Sequence, residues 1–247
     1  MVNNSDFCKL WCTQRAFEIP PKDRLKKDDL CLGKERNRAL YFSIVGNKPK
    51  NPVVALVGIC PGNNQLNKFI SCYKDGHTLQ NSAIESGFSK SHKNIRVMLN
   101  SLGVDKIIRE EIFSDYNLNH SEKILVTSLV KCASLNLKDD KHPSRTFDPS
   151  KYEMTKRCVK NRFVSDILNP DFMNLKIIII MGKNGWNAIN TITTDNKTIK
   201  DYLESRGKVL VQIPHPSGAN NENIKKFLEN PTLPMRIEAL RKLSAFY

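Results

Sequence analysis

No apolar run in these 247 residues approaches the roughly 20 needed to cross a bilayer, so a membrane span is not expected. Acidic side chains are scarce. There are 25 Asp and Glu against 39 Lys and Arg, which leaves a net charge of +14 and a pI near 9.5. That imbalance favours a polyanionic partner, nucleic acid first. The seven cysteines are odd in number and irregularly spaced, which argues against a disulfide framework. The opening residues, MVNNSDFCKLWC, lack the basic start and apolar core of a signal peptide, so a cytoplasmic location is expected. No internal repeat or low-complexity tract is present. Neither Gly-x-Gly-x-x-Gly nor a lysine-containing phosphate loop occurs, which weakens a nucleotide-binding reading.

The chain does contain four short apolar runs. Residues 53–57, 124–130, 177–180 and 209–213 are rich in Val, Ile and Leu, the pattern of strands buried on both faces. The most informative stretch is 51–65, where the first run breaks at Gly58-Ile59-Cys60-Pro61-Gly62. Gly tolerates φ > 0 and Pro fixes φ, so a hard turn at the strand's carboxyl end is expected. Helical periodicity is clear at 93–102, where Ile95, Met98, Leu99 and Leu102 recur at i, i+3, i+4, i+7 and Gly103 follows as a stop. Residues 151–168 and 184–192 also read as helices, as does the chain's end. The polar stretch 66–92 reads as a long loop. Strands alternating with helices predict an α/β fold: three α/β/α layers around a four-stranded parallel sheet. Residues 1–50 read as an N-terminal extension packed on a 51–247 body, with Phe7, Leu10, Trp11 and Phe17 forming a docking helix. A monomer is expected.

Parallel strands place the 58–65 loop and the Pro214-His215-Pro216-Ser217-Gly218-Ala219-Asn220 loop on one edge of the sheet, where open α/β folds bind ligands. Prolines on both sides hold His215 in place. A second polar loop carries His142, Arg145 and Asp148; its spacing is poor for zinc, and a surface or DNA-contacting loop is the simpler reading.

Three motifs together resemble the uracil-DNA glycosylase superfamily. Gly58-Ile59-Cys60-Pro61-Gly62 resembles its Gly-x-x-Pro-Gly loop, and His215-Pro216-Ser217 resembles its His-Pro-Ser loop. Thr127-Ser128-Leu129-Val130-Lys131-Cys132 resembles the Thr-Asn-x-Val-Lys-Cys signature of the iron–sulfur branch. The resemblance spans about 51–230. It implies DNA as partner, extrusion of a base and hydrolysis of its bond to the sugar without any cofactor. His215 would stabilise the departing base. Gly58, Ile59, Cys60, Pro61 and Ser128 would line the base pocket. Phe88, or failing it Tyr73, would stack on the base. Ser217, Gly218, Ala219, Asn220 and Lys225 would hold the DNA backbone.

Two departures bear on activity. Ile59 and Cys60 stand where the superfamily keeps a water-activating Asp, Asn or Glu, which leaves Asn63 or Asn64 to position water. Ser128 replaces the Asn that reads uracil, which predicts a larger pocket and a bulkier, cytosine-derived base of the phage type. Uracil repair is one alternative, and a non-catalytic binder of modified DNA is another. The branch resemblance also raises a 4Fe–4S cluster, which needs four thiolates. Cys12, Cys31, Cys132 and Cys158 are the candidates, set against plain buried thiols.

Overall fold

The computed structural model describes residues 21–43, 45–88, 91–138 and 147–247. The docking helix expected around Phe7, Leu10, Trp11 and Phe17 lies outside them, as do Cys12, His142 and Arg145. The first described strands form a small antiparallel sheet. β1 (Cys31–Glu35) pairs with β2 (Arg38–Tyr41), and β2 pairs with β5 (Ala133–Asn136). The described part of the expected 1–50 extension joins the body through this sheet, since β2 is bonded to a strand from the middle of the chain.

The central sheet is parallel, in the order β4 (Ile124–Ser128), β3 (Val54–Gly58), β6 (Ile177–Met181), β9 (Val209–Ile213). It confirms the expected three-layer α/β/α fold. Every residue of β3, β4 and β6 is buried, because successive side chains alternate between two covered faces. Ala55, Val57, Ile178 and Ile180 face one core, and Val54, Leu56, Ile177 and Ile179 face the other.

The helices follow in chain order. α1 (Asn63–Lys74) and α2 (Leu79–Ser86) precede α3 (His92–Ser101) and α4 (Val104–Ile108). α5 (Glu153–Arg157) runs through a π turn (Cys158–Phe163) into α6 (Val164–Ile167). α7 (Lys183–Thr191), a two-residue hairpin β7–β8 (Thr193–Thr194, Lys197–Thr198) and α8 (Ile199–Glu204) come next, then α9 (Asn221–Glu229) and α10 (Pro234–Leu243). The π turn, α6, α7 and α8 cover one face of the sheet. α3, α4, α9 and α10 cover the other.

Most of the stretch expected to be a long loop at 66–92 is helix instead. Leu66, Phe69 and Cys72 give α1 a narrow buried stripe against the small sheet, and Leu79 docks beside them. Two helices of polar outward face, split by Gly76 at φ +99°, hide their periodicity in composition. The strand expected at 124–130 ends at Ser128. The helix expected at 151–168 runs continuously over 153–167, with a π turn in its middle, a feature that absorbs one extra residue.

The outer edge of β4 is closed by one side chain. Asn47 Oδ1 accepts from the Val126 amide at 2.7 Å, and its Nδ2 donates to the Ile124 carbonyl at 2.9 Å and the Ser121 carbonyl at 3.3 Å. Asn47→Ala is therefore expected to lower unfolding free energy by about 2–3 kcal/mol, because it orphans a buried amide as well as removing bonds. A urea titration checks this, with a lower midpoint at unchanged slope. A midpoint equal to wild type would refute the role of Asn47.

Candidate active site

All four parallel strands end on the same edge, and their following loops build the site. Gly58 sits in register with Ser128. The ladder continues past the strands: Leu129 N–H bonds the Gly58 carbonyl and Val130 N–H the Ile59 carbonyl, both at 2.9 Å. On the far side, Gly182 N–H bonds the Ile213 carbonyl at 2.8 Å. β6 separates β3 from β9, so the two motif loops stand two strand spacings, about 10 Å, apart.

His215 is exposed at the rim of this edge. Its Nδ1 lies 3.3 Å from the Ser217 amide and 3.1 Å from Ser217 Oγ. A backbone N–H can only donate, so Nδ1 must be an acceptor and the ring proton sits on Nε2. The surrounding protein desolvates the ring and lowers its pKa below 6.5, which favours this neutral form. Asn220 Nδ2 donates to the His215 carbonyl at 2.8 Å. Beneath the ring lies Gly182 at φ +91°, ψ 155°, and a Cβ built there would be 3.0 Å from His215 Cβ.

Phe88 stands over the other loop, half-buried, at φ +40°. A Cβ built at Gly58 would be 3.1 Å from two of its ring carbons. Neither Gly58 nor Gly62 has positive φ. Gly58 is needed for the ring's close approach, not for the sharp turn its sequence suggests. Gly62 caps α1, with Gln65 Oε1 accepting its amide at 2.9 Å.

The other expected site residues divide. Ser128 is 4 % exposed, and its hydroxyl donates to the Val130 carbonyl at 2.9 Å. Ile59 and Cys60 turn their side chains toward the core, so only their backbone borders the edge, and Pro61 is buried. The Cys60 thiol is pushed up to about 11 by burial, against smaller lowering effects from the Ser134 backbone N–H and Arg38. It stays neutral and cannot act as a base. Asn63 Oδ1 accepts from Lys27 Nζ at 3.2 Å, while Asn64 is exposed. Tyr73 is ten residues along α1, about 15 Å from its amino end at the site, and its ring meets Lys22. It is not a stacking platform here.

In the last loop, Ser217 and Asn220 bond to His215 and stay partly exposed. Gly218, Ala219 and Lys225 are exposed. Lys131 Nζ bonds Thr127 Oγ1 and pairs with Asp166 at 2.9 Å, so two residues of the third motif lock their own loop. A cavity of about 950 Å³ runs along the β4 edge past Lys131, lined by none of His215, Phe88 or Gly58.

Cys31, Cys132 and Cys158 do not come together as a group of three. Among the described residues no three His, Cys, Asp or Glu side chains form a group able to hold a metal ion. Cys31 leads β1, and its register partner Tyr41 pairs in turn with Ala133, which puts Cys31 two strand spacings from the neighbourhood of Cys132. Cys158 Sγ accepts the Lys131 amide at 3.4 Å. The described thiols do not fit a cluster as a set. Asp148 caps a turn through the Ser150 amide at 3.0 Å. Sequence reasoning missed Gly182, Asn94 and Asn119. A glycine closing the third strand was the visible signal for the first, and the two asparagines carried none.

No helix among the described residues is long and apolar enough to cross a membrane. No curated protein matches the chain at a meaningful level. The family model of the uracil DNA glycosylase superfamily matches residues 45–242, which takes in both motif loops and the whole parallel sheet, and the chain belongs to that superfamily.

Proposed function

We propose that the protein is a monofunctional DNA glycosylase that removes a non-standard, cytosine-derived pyrimidine from DNA and leaves an abasic site. The superfamily supports base removal from DNA as the general activity. The observation that carries the reading is the Ser217 amide on His215 Nδ1, which leaves Nε2–H as a fixed donor over the cleft.

The chemistry runs as follows. The extruded base enters between Phe88 and His215. The bond from base nitrogen to C1′ breaks, the electron pair leaves with the base, and positive charge builds on the sugar. Nε2–H stabilises the negative charge on the base oxygen. Water then adds to C1′ and loses its proton to solvent, and the base takes one up. A dissociative path asks little of the water, so Asn63 or Asn64 suffices to position it where Cys60 cannot. The reaction requires no cofactor and no catalytic lysine.

Ser128 supports the choice of base. Its single hydroxyl is spent on Val130, so it offers no paired amide for uracil's edge. Bulkier modified cytosines, as in some phage genomes, suit such a pocket, and antiviral defence is the matching role. Synthetic duplexes carrying uracil, hydroxymethylcytosine or glucosylated cytosine test this: release of a modified cytosine is expected to exceed uracil release. Efficient release of uracil alone would return the protein to repair.

A second reading, a binder without catalysis, is favoured by the inert Cys60. It predicts tight retention of modified DNA with no abasic sites.

A further inference from the structure

We propose that the first turn of α3 is a brace that sets the relative position of Phe88 and His215, with Asn94 and His92 as its two arms. The inference rests on the glycosylase reading for its kinetic arm only.

The body of α3 is fixed. Ile95, Met98 and Leu99 are fully buried in the core beside the sheet. His92 and Asn94 precede this anchor and are two residues apart. At 3.6 residues per turn, such positions project to nearly opposite sides of a helix, so one turn reaches two loops.

Asn94 takes the histidine loop. Its Nδ2 donates to the Pro216 carbonyl at 3.0 Å and to Asn221 Oδ1 at 3.3 Å. Pro216 is the residue between His215 and Ser217, so this bond holds the peptide that tethers the imidazole. His92 takes the aromatic loop. Its Nε2 is 3.1 Å from the Gly87 carbonyl, which can only accept. Asn119 Nδ2 donates to the same carbonyl at 2.7 Å. Gly87 precedes Phe88, whose left-handed backbone needs such restraint. A Cβ at Gly87 would meet Asn119 Oδ1 at 2.5 Å, so the grip admits only glycine. Supporting shells of this kind hold reacting groups to fractions of an ångström.

The two arms predict different defects. Asn94→Ala frees the donor, so single-turnover excision should fall about 10- to 100-fold while duplex affinity stays within about twofold. His92→Ala loosens the turn that carries the stacking ring, so KM should rise more than kcat falls. The exposed Asn190, which bonds only within α7, supplies the control Asn190→Ala. Histidine-ring ¹H–¹⁵N spectra of the free protein give a readout that needs no activity. Asn94→Ala should shift the His215 signals, and Asn190→Ala should not. Unchanged His215 signals in Asn94→Ala overturn the brace, and so does a shift without any loss of rate in an active enzyme. If wild-type protein excises no base, the glycosylase reading falls, while the ring spectra still decide the brace. A failure of His92→Ala to fold leaves the Asn94 arm decisive.

Discussion

Replacing His215 with alanine is expected to cut abasic-site formation by about 10²–10³-fold, the usual cost of removing one fixed donor aimed at developing negative charge. The fold should survive. His215 is exposed, its ring is held only by Ser217, and its carbonyl keeps the bond to Asn220. Surface substitutions of this kind move stability by no more than about 0.5 kcal/mol. His215→Gln keeps an N–H donor but loses the tether from the Ser217 amide, so it should fall between wild type and alanine. The measurement is single-turnover cleavage of the duplex after alkaline treatment, with thermal melting as the control. Alanine at wild-type rate would remove His215 from the chemistry. Retained affinity for modified DNA with no product from wild type or variant would support the binder.

Gly182→Ala combines two defects at one atom. At φ +91°, ψ 155° the backbone occupies a region open essentially to glycine, and an L side chain there costs about 1–3 kcal/mol. The new methyl would also sit 3.0 Å from His215 Cβ and 3.3 Å from its Cδ2. Those contacts are tight, and the neighbour that yields is the imidazole. Displacement of a reacting group by about an ångström can cost about 10² in rate. A lowered melting temperature together with a rate loss of that size is expected. Full activity at reduced stability would mean that the ring does not act from its observed position.

Much of this was open to reading in the chain, for physical reasons. Strands buried on both faces must be continuously apolar, so the runs at Val54 and Ile177 stand out, and parallel pairing then sends the loops at Gly58 and His215 to one edge. Phe88 could be placed because an aromatic follows the first loop at suitable distance. The helices α1 and α2 were hidden because each buries only a narrow stripe, Leu66, Phe69 and Cys72 in the first. The small sheet was hidden because its first two strands, CLGKE and RALY, mix charged with apolar residues, and β1 is interrupted by a register shift between Cys31 and Gly33. Asn94, Asn119 and Gly182 act through backbone carbonyls and a backbone angle, neither of which leaves a pattern of residue types. Among the described cysteines, Cys158 lies beside the amide of Lys131, the residue before Cys132, while Cys31 stands two strand spacings away across the small sheet.

The dependence of single-turnover rate on pH tests the neutral donor most directly. Desolvation by the surrounding protein lowers the ring's pKa from 6.5, and the acting species has an unprotonated Nδ1. Excision should therefore be level from pH 8 down through 6.5 and decline only below it, as protonation takes Nδ1 away from the Ser217 amide. His215→Ala should lack that limb. A rate that climbs as pH falls through 6.5 would show the imidazolium to be the active form and would contradict the mechanism.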